Sequence, residues 1–242
     1  MKRLLALLLT AALVLSLAAC GNNQNDTPSA SNSQESTPAQ SENAFQPSET
    51  DEVASSKSES GSGNKILITY FTAAENSGVD AISSASYTTV NGTSVGRVRA
   101  VADMIAAETG GELFSIRTSV VYPTDGGKLI DYAAEEQDDN VRPELTGQIE
   151  NLEQYDTIFI GYPTWWYDLP MVMYSFLEEY DFEGKTIIPF NVHNGSRFSS
   201  TIKTIQELEP AAIVVEDGFT VSERTVADAA GDVDSWLDEL GY

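Results

Sequence analysis

An open, doubly wound α/β sheet is the architecture this sequence predicts, with five parallel strands and helices on both faces. Two observations lead to it. Short, almost wholly apolar runs recur from Lys65 to the C-terminus, as expected for strands covered on both sides. Between them lie stretches with helical spacing, and strands alternating with helices imply crossover connections and parallel pairing.

The first run is Ile66-Leu67-Ile68-Thr69-Tyr70-Phe71. A helix follows later: Val98, Val101, Ala102, Ile105 and Thr109 repeat at helical intervals, with Ser94 as the expected N-cap and Gly110-Gly111 as the stop. Glu112 to Arg117 is the second strand, and Lys128 to Glu136 a short helix within a long excursion. Thr157 to Tyr162 is the third strand, followed by a helix over Leu169–Tyr180. Lys185 to Phe190 is the fourth, followed by a helix near Ser199–Leu208. Ala211 to Glu216 is the fifth strand. Thr220-Val221-Ser222-Glu223 fits a capping box for a last helix over Glu223–Leu240, in which Trp236 joins Val233 and Leu240 on the apolar side.

Composition bounds the chemistry. The 242 residues carry 13 Lys+Arg against 37 Asp+Glu, a formal charge of -24, with one Cys and one His. A single Cys excludes a disulfide framework and a Cys-rich metal or iron–sulfur site. One His argues against His-ligated zinc. The charge argues against nucleic acid as a partner, since phosphate backbones would be repelled. Acidic runs such as Glu135 to Asp139 read as solvated faces.

The N-terminal part reads as an address. Lys2 and Arg3 precede an apolar run from Leu4 to Ala19, which ends in Leu17-Ala18-Ala19-Cys20. Residues 1–20 resemble a bacterial lipoprotein signal peptide with Cys20 as the expected lipidation site, the alternatives being an ordinary signal peptide with a spare Cys or an uncleaved anchor. The expected location is outside the cytoplasm, with the membrane reached through a lipid anchor only. Residues 21–64 are rich in Ser, Asn, Gln, Thr, Pro and Glu and poor in bulky apolar side chains, the composition of a disordered tether. Residues 65–242 form the folded domain.

In open α/β sheets, ligands bind beyond the C-terminal ends of the strands, at the switch in strand order. Three loops meet that description. After the third strand comes Pro163-Thr164-Trp165-Trp166-Tyr167, whose aromatics either stack on a flat ring or pack under neighbouring loops. After the fourth comes His193-Asn194-Gly195-Ser196, amide-rich, with Gly195 allowing close backbone approach and His193 expected as a wall of the site. After the first come Thr72-Ala73-Ala74, separated by a polar insert of roughly residues 77–93 from Gly96-Arg97-Val98 at the helix start, where backbone N–H groups would hold an anion.

The phrase Gly161-Tyr162-Pro163-Thr164-Trp165-Trp166, together with Asp181-Phe182-Glu183-Gly184-Lys185-Thr186, resembles the flavodoxin-like family, in its branch with a Trp-Trp pair. The resemblance covers essentially all of residues 65–242. It implies strand order 2-1-3-4-5, FMN bound by these three loops, and a redox partner protein or small acceptor. The short link after the fifth strand resembles short-chain members. The phosphate loop departs from the family: Thr72 keeps the first hydroxyl, but Gly96-Arg97-Val98 stands where Gly-Asn-Thr is usual. Arg97 then either replaces a hydroxyl with a charge-assisted contact or is a solvated helix charge. An FMN electron carrier is the leading expectation, with a two-electron reductase of quinones or similar acceptors as one alternative. The other is a fold-retaining lipoprotein that has lost FMN.

Overall fold

The computed structural model describes residues 65–76 and 86–242. Cys20 with its expected lipidation, the expected tether over residues 21–64 and the first part of the insert lie outside the described residues. Among the described residues, eight strands and five α-helices follow one another. They are β1 (Ile66–Tyr70), β2 (Tyr87–Val90), β3 (Thr93–Gly96), α1 (Arg97–Thr109), β4 (Glu112–Ser115), α2 (Gly126–Asp138) and β5 (Thr157–Pro163), then α3 (Met171–Glu179), β6 (Thr186–His193), α4 (Thr201–Leu208), β7 (Ile213–Val214), β8 (Phe219–Ser222) and α5 (Ala230–Leu240).

The main sheet is parallel and ordered β4-β1-β5-β6-β7, with β8 also paired to β6. This is the expected 2-1-3-4-5 order. Strand alternation divides the core in two. Leu67, Ile158, Ile160 and Ile187 face α2, α3 and α4, whereas Ile68, Tyr70, Phe159 and Ile188 face α1 and α5. α1 ends where the sequence predicts, at Gly110 in a left-handed conformation whose N–H reaches the Ala106 carbonyl.

Two expectations are corrected. The end of the insert is a β-hairpin, β2 against β3, turning at Asn91-Gly92 with φ of 49° and 81°. Asn-Gly between β-branched residues is the type I′ signal, and it outweighs the reading of Ser94 as a helix cap. Ser94 lies in β3, and α1 starts after Gly96. The second correction concerns the chain after Glu216. The capping box does not form, because Thr220, Val221 and Ser222 are strand residues paired with Asn191, Val192 and His193. α5 begins only at Ala230, and the link expected to be short contains an extra strand.

The edge position is thus filled by two short strands with a break at 215–218. Pro189 explains the break. The Ile187 carbonyl accepts from Val215, so two residues on, Pro189 turns the same way and has no N–H to offer. A Pro in a non-edge strand is tolerated here because the chain opposite leaves the ladder at that point. Trp236 Nε1 donates to the Asp217 carbonyl at 2.8 Å and holds the break against α5.

On the other face, Glu136, expected on a solvated face, is instead buried by α2 beside Tyr122, whose hydroxyl donates to it at 3.3 Å. Its second oxygen is buried without a partner. Burial lifts this carboxyl from 4.5 to about 7. The fold therefore binds the proton more tightly than the unfolded chain does. The stabilisation is full below about 4.5 and disappears as pH rises through about 7. Urea midpoints are expected to fall across that window, and Glu136→Gln should remove part of the slope. Glu209, which burial and Asp181 also lift to about 7, adds to the slope, and His193, whose pKa burial lowers, opposes it. An unchanged slope in Glu136→Gln would refute the assignment.

Candidate functional site

The ends of β1, β5 and β6 lie side by side, and their loops line one solvent-open cavity of about 810 Å³. Three devices fix the loops. After β1, Asn76 accepts the Thr118 N–H at 3.0 Å and donates to the Thr72 carbonyl at 3.0 Å, tying this loop to the chain after β4. Gly96 passes so close to Thr72 that a Cβ there would stand 2.7 Å from the Thr72 hydroxyl oxygen. Only glycine lets the start of α1 approach the end of β1 in this way.

Asn191, fully buried in β6, is the third device. Its amide donates to the Thr164 hydroxyl and, at 2.8 Å, to the Arg197 carbonyl. Thr164 donates to the same carbonyl at 2.9 Å. One amide thereby joins the loop after β5 to the loop after β6.

The aromatic loop turns within two residues. Trp165 and Asp168 exchange backbone hydrogen bonds of 3.0 and 2.9 Å, leaving Trp166 and Tyr167 at the corner with φ of 47° and 65°. Large side chains rarely occupy this region, at a cost of about 1–3 kcal/mol each. The turn is held by Asp168, which accepts from Leu169 N–H, Thr204 and Tyr174, and by Ser200, which donates to the Tyr167 carbonyl. The strained corner presents two rings at the mouth: Trp166 is 48% and Tyr167 68% exposed. Trp166 Nε1 donates across to the Ile130 carbonyl on α2 at 3.0 Å. The two tryptophans thus do different work. Trp165 packs edge-on against Phe71 and Tyr122, both at 5.6 Å, beneath the cavity, while Trp166 stands at its rim.

His193 ends β6, and its Nδ1 accepts the Gly195 N–H at 2.8 Å. Burial, followed by the charge of Arg197, lowers its pKa below the ordinary value. The ring is therefore neutral near pH 7 and its proton sits on Nε2, making it a donor wall. Arg97, the first residue of α1, pairs with Glu223 at 3.3 Å, and its Nε is buried without a partner.

Of the predicted site residues, the cavity is lined by Thr72, Ala73, Arg97, Val98, Pro163, Thr164, Trp165, Trp166, Tyr167, His193, Asn194, Gly195 and Ser196. Ala74 and Gly96 lie off the wall, buried behind it. Sequence reasoning missed Ser86 at the hairpin base, the α2 wall of Gly126, Gly127, Leu129, Ile130 and Ala133, Val192 in β6, and Glu223. A Gly-Gly pair after Asp125, which caps α2 by accepting from Lys128 N–H, was the legible signal for the α2 wall. Glu223 gave none, because its position depends on β8. Among the described residues no cluster of His, Cys, Asp or Glu could hold a metal, and no helix is long and apolar enough to cross a membrane.

A family model described as Flavodoxin matches residues 84–240. No curated protein matches the chain. Among solved structures, a protein assigned as a flavoprotein from Bacteroides eggerthii is 24% identical. It covers 74% of this chain and 99% of its own, with a TM-score of 0.57. A second such protein, from Bacteroides uniformis, is 27% identical over 69% of this chain and 97% of its own, with a TM-score of 0.51. A flavoprotein from Lactobacillus acidophilus, crystallised in complex with FMN, is 18% identical over 72% and 99%, also with a TM-score of 0.51.

Replacing Trp166-Tyr167 by Asn-Gly, the pair that type I′ turns favour, should stabilise the protein by about 1 kcal/mol in thermal melts. A loss of stability would mean that the corner is not strained. Asn191→Ala should destabilise by about 2 kcal/mol in urea, since it removes one of the two donors to the Arg197 carbonyl and opens a gap between two loops.

Proposed function

The chain belongs to the flavodoxin family, and on that premise we propose that it is an FMN-binding electron-transfer protein of the Trp-Trp branch, held outside the cytoplasm by a lipid on Cys20. One observation carries the reading: three strand-end loops converge on a single cavity with flat aromatic rings at its mouth and a partly unpaired guanidinium in its wall. Its volume, about 810 Å³, lies within the roughly 300–1,000 Å³ usual for cofactor sites. The FMN complex of the Lactobacillus acidophilus relative supports the same choice of ligand.

The residues suit the parts of such a ligand. Trp166 and Tyr167 offer rings for stacking at the mouth, and His193 and the loop from Asn194 to Ser196 offer polar contacts. Thr72, Arg97 and the start of α1 offer donors to a phosphate. FMN supplies the redox chemistry when bound. The chain contributes binding, orientation and exclusion of water, and needs no nucleophile for that work. Its charge of -24 disfavours added negative charge in the site and steers basic redox partners toward the surface.

Titrating the purified full-length chain with FMN should quench tryptophan fluorescence and yield a reversibly reducible chromophore. The Trp166-Tyr167→Asn-Gly variant should bind FMN at least about tenfold more weakly, through lost stacking. Rapid nicotinamide oxidation by the loaded protein would favour the two-electron reductase instead. A folded chain that binds no FMN would leave the non-redox binding protein. Cys20→Ala should abolish membrane retention, and unchanged anchoring would overturn the lipid assignment.

A further inference from the structure

Arg97 is held in a way its immediate surroundings do not satisfy. Its side chain is only 16% exposed, yet among the described residues it makes one ion pair, Nη1 to Glu223 Oε2 at 3.3 Å, and its Nε is buried with no partner. A guanidinium carries five N–H donors in a fork that matches two oxygens of a carboxylate or phosphate at once. Among the described residues one carboxylate oxygen meets this fork, and the buried Nε has no partner.

The helix adds to the imbalance. Arg97 is the first residue of the 13-residue α1, which has no side-chain cap and no acidic residue in its first turn. A cation at this end opposes the helix dipole, and an anion would be favoured there. Glu223 supplies the missing negative charge from another element. Its backbone N–H donates to the His193 carbonyl at 2.8 Å, and the pairing of β8 with β6 holds the chain there. Both side chains line the cavity, beside Thr72.

We propose that Glu223 is a built-in competitor for Arg97, and that a phosphate monoester entering the cavity takes over the guanidinium from it. The exchange makes Arg97 the residue that distinguishes a phosphorylated flavin from an unphosphorylated one. Glu223 sets how weakly that phosphate is held. A neutral ligand cannot drive the exchange, because it offers the guanidinium nothing better than the carboxylate it already has. The proposal deepens the FMN reading and rests on it for the identity of the ligand. The anion preference itself rests on Arg97: its unpartnered Nε, its ion pair with Glu223 and its place at an uncapped helix start.

The test compares FMN, riboflavin and inorganic phosphate on the full-length chain. Flavin affinities come from fluorescence titration, and phosphate binding from the shift in thermal midpoint. The wild type should bind FMN more tightly than riboflavin. Arg97→Ala should weaken FMN about tenfold or more while leaving riboflavin unchanged, so that the ratio collapses. Arg97→Lys, which keeps the charge and fills the space, should recover part of the ratio. Glu223→Gln, nearly isosteric, should tighten FMN several-fold and leave riboflavin unchanged.

Equal loss of both flavins in Arg97→Ala, or unchanged or weaker FMN binding in Glu223→Gln, would overturn the exchange while leaving the FMN reading intact. If the folded wild type bound neither flavin, the FMN reading would fail by itself. The exchange would then stand if phosphate raised the thermal midpoint and Arg97→Ala abolished that shift, and would fall if it did not.

Discussion

The site depends on one buried amide. Asn191 sits in the middle of the protein with no exposure, and its two donors reach a hydroxyl on one loop and a carbonyl on the next. Parallel strands deliver loops to the same edge, but they do not fix how those loops lie against each other. Backbone polar groups beyond a strand end lose their ladder partners and must find others. Asn191 meets that need for Arg197 and at the same time fixes Thr164, so the aromatic loop and the histidine loop form one wall. The unpartnered oxygen of the same amide is buried, the cost of a polar group placed where strand geometry rather than hydrogen bonding decides.

Around that fixed wall the protein accepts strain and imbalance where a ligand would meet it. Two aromatic residues occupy left-handed backbone at a turn that Asn-Gly would fill more comfortably, and the loop survives because Asp168 and Ser200 clamp it from below. Arg97 stands at the wrong end of a helix dipole with a single carboxylate partner. Residues in such positions commonly mark functional sites, since stability alone would select against them. The core beneath is conventional by contrast: alternating apolar residues of β1, β5 and β6 divide cleanly between two helical layers.

The edge strand shows how a local covalent fact shapes the site at a distance. Pro189 cannot donate, so the chain opposite leaves the sheet after β7 and returns as β8. The return carries Glu223 to the cavity. Had the capping box at Thr220–Glu223 formed as its sequence invites, Glu223 would have been an ordinary first-turn helix residue. Strand pairing with Asn191, Val192 and His193 outweighs that cap, because it satisfies several backbone groups at once against a strand already in place.

The sequence by itself determined the strand–helix alternation and the two strand-end loops with the strongest chemistry, because apolar runs, helical spacing and clustered aromatics are local properties that short windows reveal. Strand order came from the family resemblance rather than from any window, and the sheet agrees with it. The Asn91-Gly92 hairpin and the Gly126-Gly127 wall were also legible, the first through its turn chemistry and the second through the cap before it. Only the tertiary structure decided that Trp165 packs on Phe71 and Tyr122 beneath the cavity while Trp166 stands exposed at its rim, since adjacent identical residues cannot be told apart without the turn that separates their directions. It also decided the pairing of Arg97 with Glu223, which are 126 residues apart. That contact exists because a proline interrupts an edge strand and redirects the chain, and no local window contains both ends of that path.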